Sequence, residues 1–194
     1  MATVADLLTA EDFFEFCQRP ENRQRRFELE RGEVVELPPT TVRHGVVCGN
    51  CIWLLGNYVR QQNRGYIASN DAGLVVEHEP DTVYGPDIFL FDETTSFDEL
   101  PTKWEDRPPA LVVEIVSPSD RPGRVLRRVT RFLTMGVPLV WVLDPETQSV
   151  VVYRSGQNPV TLERSEELTG VDVLPHLRLR VADFFATPAD TNRD

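Results

Sequence analysis

The chain has 194 residues, 41% of them hydrophobic, and a formal net charge of −11. That length fits one domain with a substantial core, and no apolar run approaches the ~18 residues of a membrane span. The acidity argues against a protein that coats nucleic acid through bulk charge, but it leaves room for one whose cleft alone is basic or metal-neutralised.

Three cysteines, an odd number, do not form a disulfide framework and suit a reducing compartment. No charged-then-apolar leader precedes the first helical pattern, so the expectation is a cytoplasmic protein with no membrane partner. Charge is unevenly spread. Arg121, Arg124, Arg127, Arg128 and Arg131 crowd one segment, while Lys103 is the sole lysine.

In chain order, Thr9-Ala10-Glu11-Asp12 reads as a helix N-terminus, with Thr9 to cap and two acids facing the positive end of the dipole. Pro20 closes that helix. Phe27-Glu28-Leu29 and Val34-Val35-Glu36-Leu37 read as a hairpin turning at Arg31-Gly32. Glu28 reads as a solvent-facing strand acid on burial statistics alone. Residues 44–62 form the longest helical pattern, with Val47, Cys51, Leu54, Leu55 and Tyr58 on one stripe. His44, Cys48 and Cys51 could share a face of it, which admits half a zinc site. With no second cysteine pair, two packed cysteines account for the pattern better.

Tyr66–Ala68 and Ala72–Glu77 read as strands of a meander leading to Asp87. Residues 86–91 and 110–116 are short runs rich in Val, Ile and Phe, the mark of buried strands. The acidic, proline-containing segment 92–109 between them reads as a loop over or beside a site. Ser117-Pro118-Ser119-Asp120 is a turn and cap sequence, and Pro122 suits the first turn of a helix ending at Gly136. Leu139–Leu143 and Ser149–Tyr153 read as a strand pair. The expected domain spans 1–187, with 188–194 a frayed tail.

Two acids stand out. Asp87 sits at the mouth of the first buried run, and Glu114 sits inside the second, among Val112, Val113, Ile115 and Val116. A lone carboxylate there is costly unless it is paired or binds a cation. Brought together from adjacent strands, an Asp and a Glu would hold a hard divalent ion through oxygen. The bland readings are a strand-start turn acid for Asp87 and a structural ion pair with an arginine for Glu114.

The text around these acids carries a resemblance. RFELERGEVVELPP at 26–39, YGPDIFLF at 84–91, LVVEIVSPSD at 111–120, GVPLVWVLDPE at 136–146 and LTGVDVLPHLRL at 168–179 together resemble the Uma family of putative restriction endonucleases, within the PD-(D/E)XK nuclease-like superfamily. The resemblance covers roughly residues 9–186. It implies an α/β fold of restriction-endonuclease type, a central mixed β-sheet flanked by helices. It also implies a Mg2+- or Mn2+-dependent endonuclease acting transiently on DNA, working by analogy as a homodimer. Its implied site is Asp87 and Glu114 with the backbone carbonyl of Ile115 on the metal, and Glu28 near the cleft.

The chain departs from the family pattern at the lysine. The superfamily position two residues after Glu114 holds Val116, and the position in the next helix, aligned on Phe132 and Gly136-Val137, holds Arg128. Arginine binds phosphate well but cannot give up a proton near neutral pH. Arg128 is therefore expected to face the cleft as a fixed positive charge, its bland reading being one solvated arginine of five. The competing functional reading is a catalytically impaired relative that keeps the fold as a binding or assembly module.

Overall fold

The structure, a computed structural model, describes residues 7–118 and 120–190. The chain begins with α1 (Ala10–Gln18), where the Thr9 hydroxyl accepts from the Asp12 amide at 3.1 Å. β1 (Arg26–Glu30) and β2 (Glu33–Leu37) follow as an antiparallel hairpin. Arg31 and Gly32 both take positive φ there, the geometry a tight hairpin turn demands. α2 (Val42–Gln62) starts two residues before the expected His44, because Thr41 supplies the cap. Next come β3 (Tyr66–Ser69), β4 (Leu74–Glu77), β5 (Thr82–Tyr84) and β6 (Ile88–Phe91). β7 (Leu111–Ile115), α3 (Pro122–Met135) and β8 (Leu139–Asp144) form a parallel βαβ unit. β9 (Ser149–Tyr153), β10 (Val160–Leu162), β11 (Glu167–Thr169), β12 (Arg178–Arg180) and α4 (Val181–Phe184) complete the chain.

The central sheet has six strands in the order β10-β9-β8-β7-β6-β3, antiparallel except for the β7–β8 pair, so it is a mixed sheet. Side chains alternate between its faces. Ile88, Leu90, Leu111, Val113, Ile115 and Trp141 meet the Val47–Cys51–Leu54–Leu55 stripe of α2, with Phe184 of α4 closing that layer. Phe89, Phe91, Val112, Val140 and Val142 meet Val129 and Phe132 of α3 on the other face. Glu114 shares parity with Val112, so it must face α3.

A second sheet, β2-β1-β5-β4, covers the far side of α3. Leu74, Val76 and Tyr84 turn toward α3, while Leu29, Val75 and Val83 turn toward Phe13 of α1. Leu29 and Glu28 point to opposite faces, so Glu28 and Glu30 are directed at α3. Glu28 is buried rather than solvent-facing, at 2% exposure.

Three expectations need correction. β3 and β4 are not neighbours in one meander: β3 pairs with β6, and β4 pairs with β5 in the second sheet. Asn70 and Asp71, both at positive φ, turn the chain from one sheet to the other. The 92–109 segment does not line the site. Its Trp104 stacks on Phe13 and donates from Nε1 to the Ala10 carbonyl at 2.9 Å, and Glu105 bonds across to β4. The cap of α3 is Arg121 rather than Asp120, whose carboxylate instead accepts from the Ser117 amide at 2.8 Å. Of the expected tail, residues 191–194 lie outside the described residues. Among the described residues, no helix is long and apolar enough to cross a membrane.

Candidate active site

The antiparallel register that sets Ile88 opposite Val113 sets Asp87 opposite Glu114 when extended by one residue. The two acids, widely separated in sequence, thus become cross-strand neighbours. Asp87 Oδ2 accepts from the Ile115 amide at 2.7 Å. Ile115 therefore meets Asp87 through its N–H in this arrangement. Oδ1 lies 3.1 Å from His44 Nε2, delivered by the first turn of α2. Burial pushes the His44 pKa down, but the bond to Asp87 and its negative charge outweigh this and leave it raised.

Arg128 reaches the same place from α3. Its Nε and one terminal nitrogen lie 3.1 and 2.8 Å from Glu114 Oε1, and the other terminal nitrogen lies 2.6 and 2.7 Å from the two oxygens of Glu28. The guanidinium also stands over the Tyr84 ring, 4.3 Å from its centroid. One arginine thereby ties β7 of the central sheet to β1 of the second sheet. The fork geometry makes this possible, since a planar guanidinium donates along two edges at once. Glu28 takes further bonds from the Gly85 amide at 3.0 Å and from Arg124 at 3.4 Å.

Burial dominates the ionisation of Glu114. Desolvation drives it up, Arg128 opposes, and the Asp87 and Glu28 carboxylates add to the rise, leaving it pushed up to about 8. Arg128 is held charged: its burial works against the charge, but Glu114 and Glu28 more than offset that.

These groups line one cleft of about 210 Å³, whose walls include Arg26, Glu28, His44, Asp87, Glu114, Ile115, Arg124 and Arg128. The four sequence-derived candidates, Asp87, Glu114, Arg128 and Glu28, all border it. Val116, at the superfamily lysine position, packs with the apolar side chains on the α3 side. Lys103 is remote, pairing with Glu11 of α1.

Among the described residues, no group of three or more His, Cys, Asp or Glu side chains is arranged to hold a metal ion. Asp87 and Glu114 are the carboxylates that could hold Mg2+ or Mn2+, with both oxygens of Asp87 already met by the Ile115 amide and His44. Magnesium commonly takes one or two protein carboxylates and completes its shell with water and substrate phosphate. Glu114 commits only Oε1 to Arg128, and no donor among the described residues meets Oε2. Glu28 fits less well, because Arg128 spans both of its oxygens. The packed-cysteine reading agrees with the core, which takes in Cys51 and Cys48, while the half zinc site finds no support: His44 turns to Asp87, and burial pushes both thiols up, away from the thiolate that zinc needs.

Sequence reasoning missed two partners. Tyr84 underlies Arg128, and its hydroxyl donates to Glu30 at 2.7 Å. Arg131 forms a second bridge to Glu30, one turn along α3 from the Glu28–Arg128 contact. The Glu28-Leu29-Glu30 alternation held a signal for both, since it sets two acids on one strand face.

A family model described as "Putative restriction endonuclease", Uma2, matches residues 10–182. The chain belongs to the Uma2 family. The fold agrees with that membership. A solved structure from Anabaena variabilis, titled a putative nuclease belonging to DUF820, superposes with a TM-score of 0.77 at 20% identity. It covers 92% of this chain and 97% of that one. At that identity the likeness carries the fold alone, a central mixed sheet flanked by helices. No curated protein matches the chain. In this chain Arg128 is clamped between buried Glu28 and part-buried Glu114.

Proposed function

We propose that this Uma2 protein is a cytoplasmic, divalent-metal-dependent endonuclease that hydrolyses DNA phosphodiester bonds. The observation that carries the reading is the meeting of Asp87, one residue before β6, with Glu114 of β7, at a cleft that also holds Arg128 and Glu28. Asp87 and Glu114 would hold Mg2+ or Mn2+. A bound cation of that kind supplies a water of lowered pKa and counter-charge for the phosphoryl oxygens. Arg128 orients Glu114 and presents a permanent positive charge to the phosphate, and it does not act as a base. The Ile115 amide and His44 fix the two oxygens of Asp87, so the carboxylate is oriented before substrate arrives. Glu28 holds Arg128 from the opposite side.

One observation favours a second reading. Arg128 stands where the family's lysine is expected and already engages both glutamates, which suits a non-catalytic binding or assembly module. Plasmid nicking with Mg2+ and Mn2+, alongside a calorimetric Mn2+ titration, separates the two. The nuclease reading expects nicking and Mn2+ binding that are both lost in Asp87→Ala, with nicking kept or raised in Arg128→Lys. Silence of wild type and Arg128→Lys on every DNA tested, with Mn2+ still bound, would replace it with the module.

A further inference from the structure

Most arginines of this acidic chain are spent on acids, and α3 shows the pattern clearly. Arg128 serves Glu28 and Glu114, and Arg131 serves Glu30 and Glu77. Arg124 reaches Glu28 only at 3.4 Å and is partly exposed. Arg121 and Arg127 are exposed, and among the described residues neither side chain is hydrogen-bonded or ion-paired, Arg127 acting on Glu30 through its charge alone. These three do not scatter over the surface. They line one wall of a second cleft of about 320 Å³ between α3 and the β1–β2 hairpin, opposite Val35 and Tyr84. Glu28 and Arg124 belong to both clefts, so the second opens directly beside the first.

The charge of this second cleft is asymmetric for a physical reason. Its two acids, Glu28 and Glu30, are held by Arg128 and Arg131 from below, with the Tyr84 hydroxyl on Glu30. Their negative charge is answered inside the protein. The positive charge of Arg121 and Arg127 is left facing solvent, and Arg124, 42% exposed, meets only Glu28 at 3.4 Å. In a chain of net charge −11, a local surplus of arginine beside an acid-lined site selects a polyanion.

We propose that this second cleft binds the phosphodiester backbone of the substrate nucleic acid beside the scissile position, with Arg121, Arg124 and Arg127 as the phosphate contacts. The inference rests on the nuclease reading for its substrate class and adds the direction from which the strand enters, along the N-terminal half of α3. Guanidinium forks suit phosphate oxygens, and contacts of this kind position a strand without reading its sequence.

The experiment is fluorescence anisotropy of a labelled 20-base-pair duplex in EDTA, with salt varied from 50 to 200 mM. Wild type is compared with Arg121→Gln/Arg127→Gln and with a control, Arg60→Gln/Arg164→Gln, which removes the same charge from exposed positions elsewhere. All four side chains are exposed, so the fold is retained, and circular dichroism checks this. Losing two phosphate contacts should shallow the slope of log K against log salt by about 1.8. Affinity should fall tenfold or more, with the control close to wild type. Equal affinity and slope in wild type and Arg121→Gln/Arg127→Gln overturns the proposal, as does an equal loss of affinity and slope in the control. The two readings fail separately. Cleavage that persists with Arg121→Gln/Arg127→Gln binding unchanged removes the cleft assignment and keeps the nuclease. Arginine-dependent binding without cleavage in Mg2+ or Mn2+ keeps the cleft and removes the nuclease.

Discussion

Arg128→Ala is the most informative single change. The wild-type guanidinium answers Glu28 and Glu114 together, at 2.6–3.1 Å, and its side chain is only 11% exposed. Truncation leaves two carboxylates in a low-dielectric pocket with their main counter-charge gone. Breaking a buried pair in this way costs about 3–5 kcal/mol. For a domain of this size that is a fall in Tm of roughly 6–20 °C, at ~2–4 °C per kcal/mol. The cost must depend on pH, because Glu114 can escape it by taking up a proton. Burial already pushes Glu114 up to about 8 with Arg128 present. Removing the arginine raises it further. A carboxyl whose folded pKa lies above its unfolded value favours the fold at low pH, and that contribution is lost as pH rises through the folded value. The gap between variant and wild type should therefore be modest at pH 5.5 and approach the full figure at pH 9. Thermal melts in EDTA at both values measure it. A gap below about 1 kcal/mol at pH 9, or one that does not widen from pH 5.5, would refute the clamp.

The other predictions concern His44 and the packing far from the site. His44 has a folded pKa above 6.5, so its contribution is full below that value and fades as pH rises through the folded pKa; the destabilisation by His44→Gln, from urea titrations in EDTA, should be larger at pH 5.5 than at pH 8.5, and equal losses would mean that Asp87 does not hold the imidazolium. A Cβ at Gly73 would lie 2.0 Å from the Trp104 ring, which Phe13 and the Ala10 carbonyl pin in place. Gly73→Ala should cost about 1–3 kcal/mol by overpacking, read as a lower urea midpoint; an unchanged midpoint would show that Trp104 is free to move.

Much of the site was legible from residue type and parity. Asp87 and Glu114 were conspicuous because a carboxylate among Val, Ile and Phe needs a reason. The buried runs gave β6, β7 and β8, and the Phe132 stripe oriented α3. Glu28 was ambiguous, because an isolated hairpin acid reads the same whether its face meets water or a helix. Arg131 and Tyr84 were not found at all, because their one sequence signal, the Glu28–Glu30 alternation, does not say what that strand face meets.

The sequence by itself determined the long helices, the buried strands, their amphipathic faces and the family text, all of which depend on spacings within a few residues. Only the tertiary structure decided that a second sheet closes over α3. That layer turns Glu28 and Glu30 inward and makes Arg128 a buried bridge and Arg131 a part-buried one, leaving the Arg121 and Arg127 side chains, among the described residues, without an ion pair at the surface. Such choices rest on contacts between residues about a hundred positions apart, as Glu28 and Arg128 are. No local propensity encodes them; they follow from which faces must be buried against each other once the strands are paired.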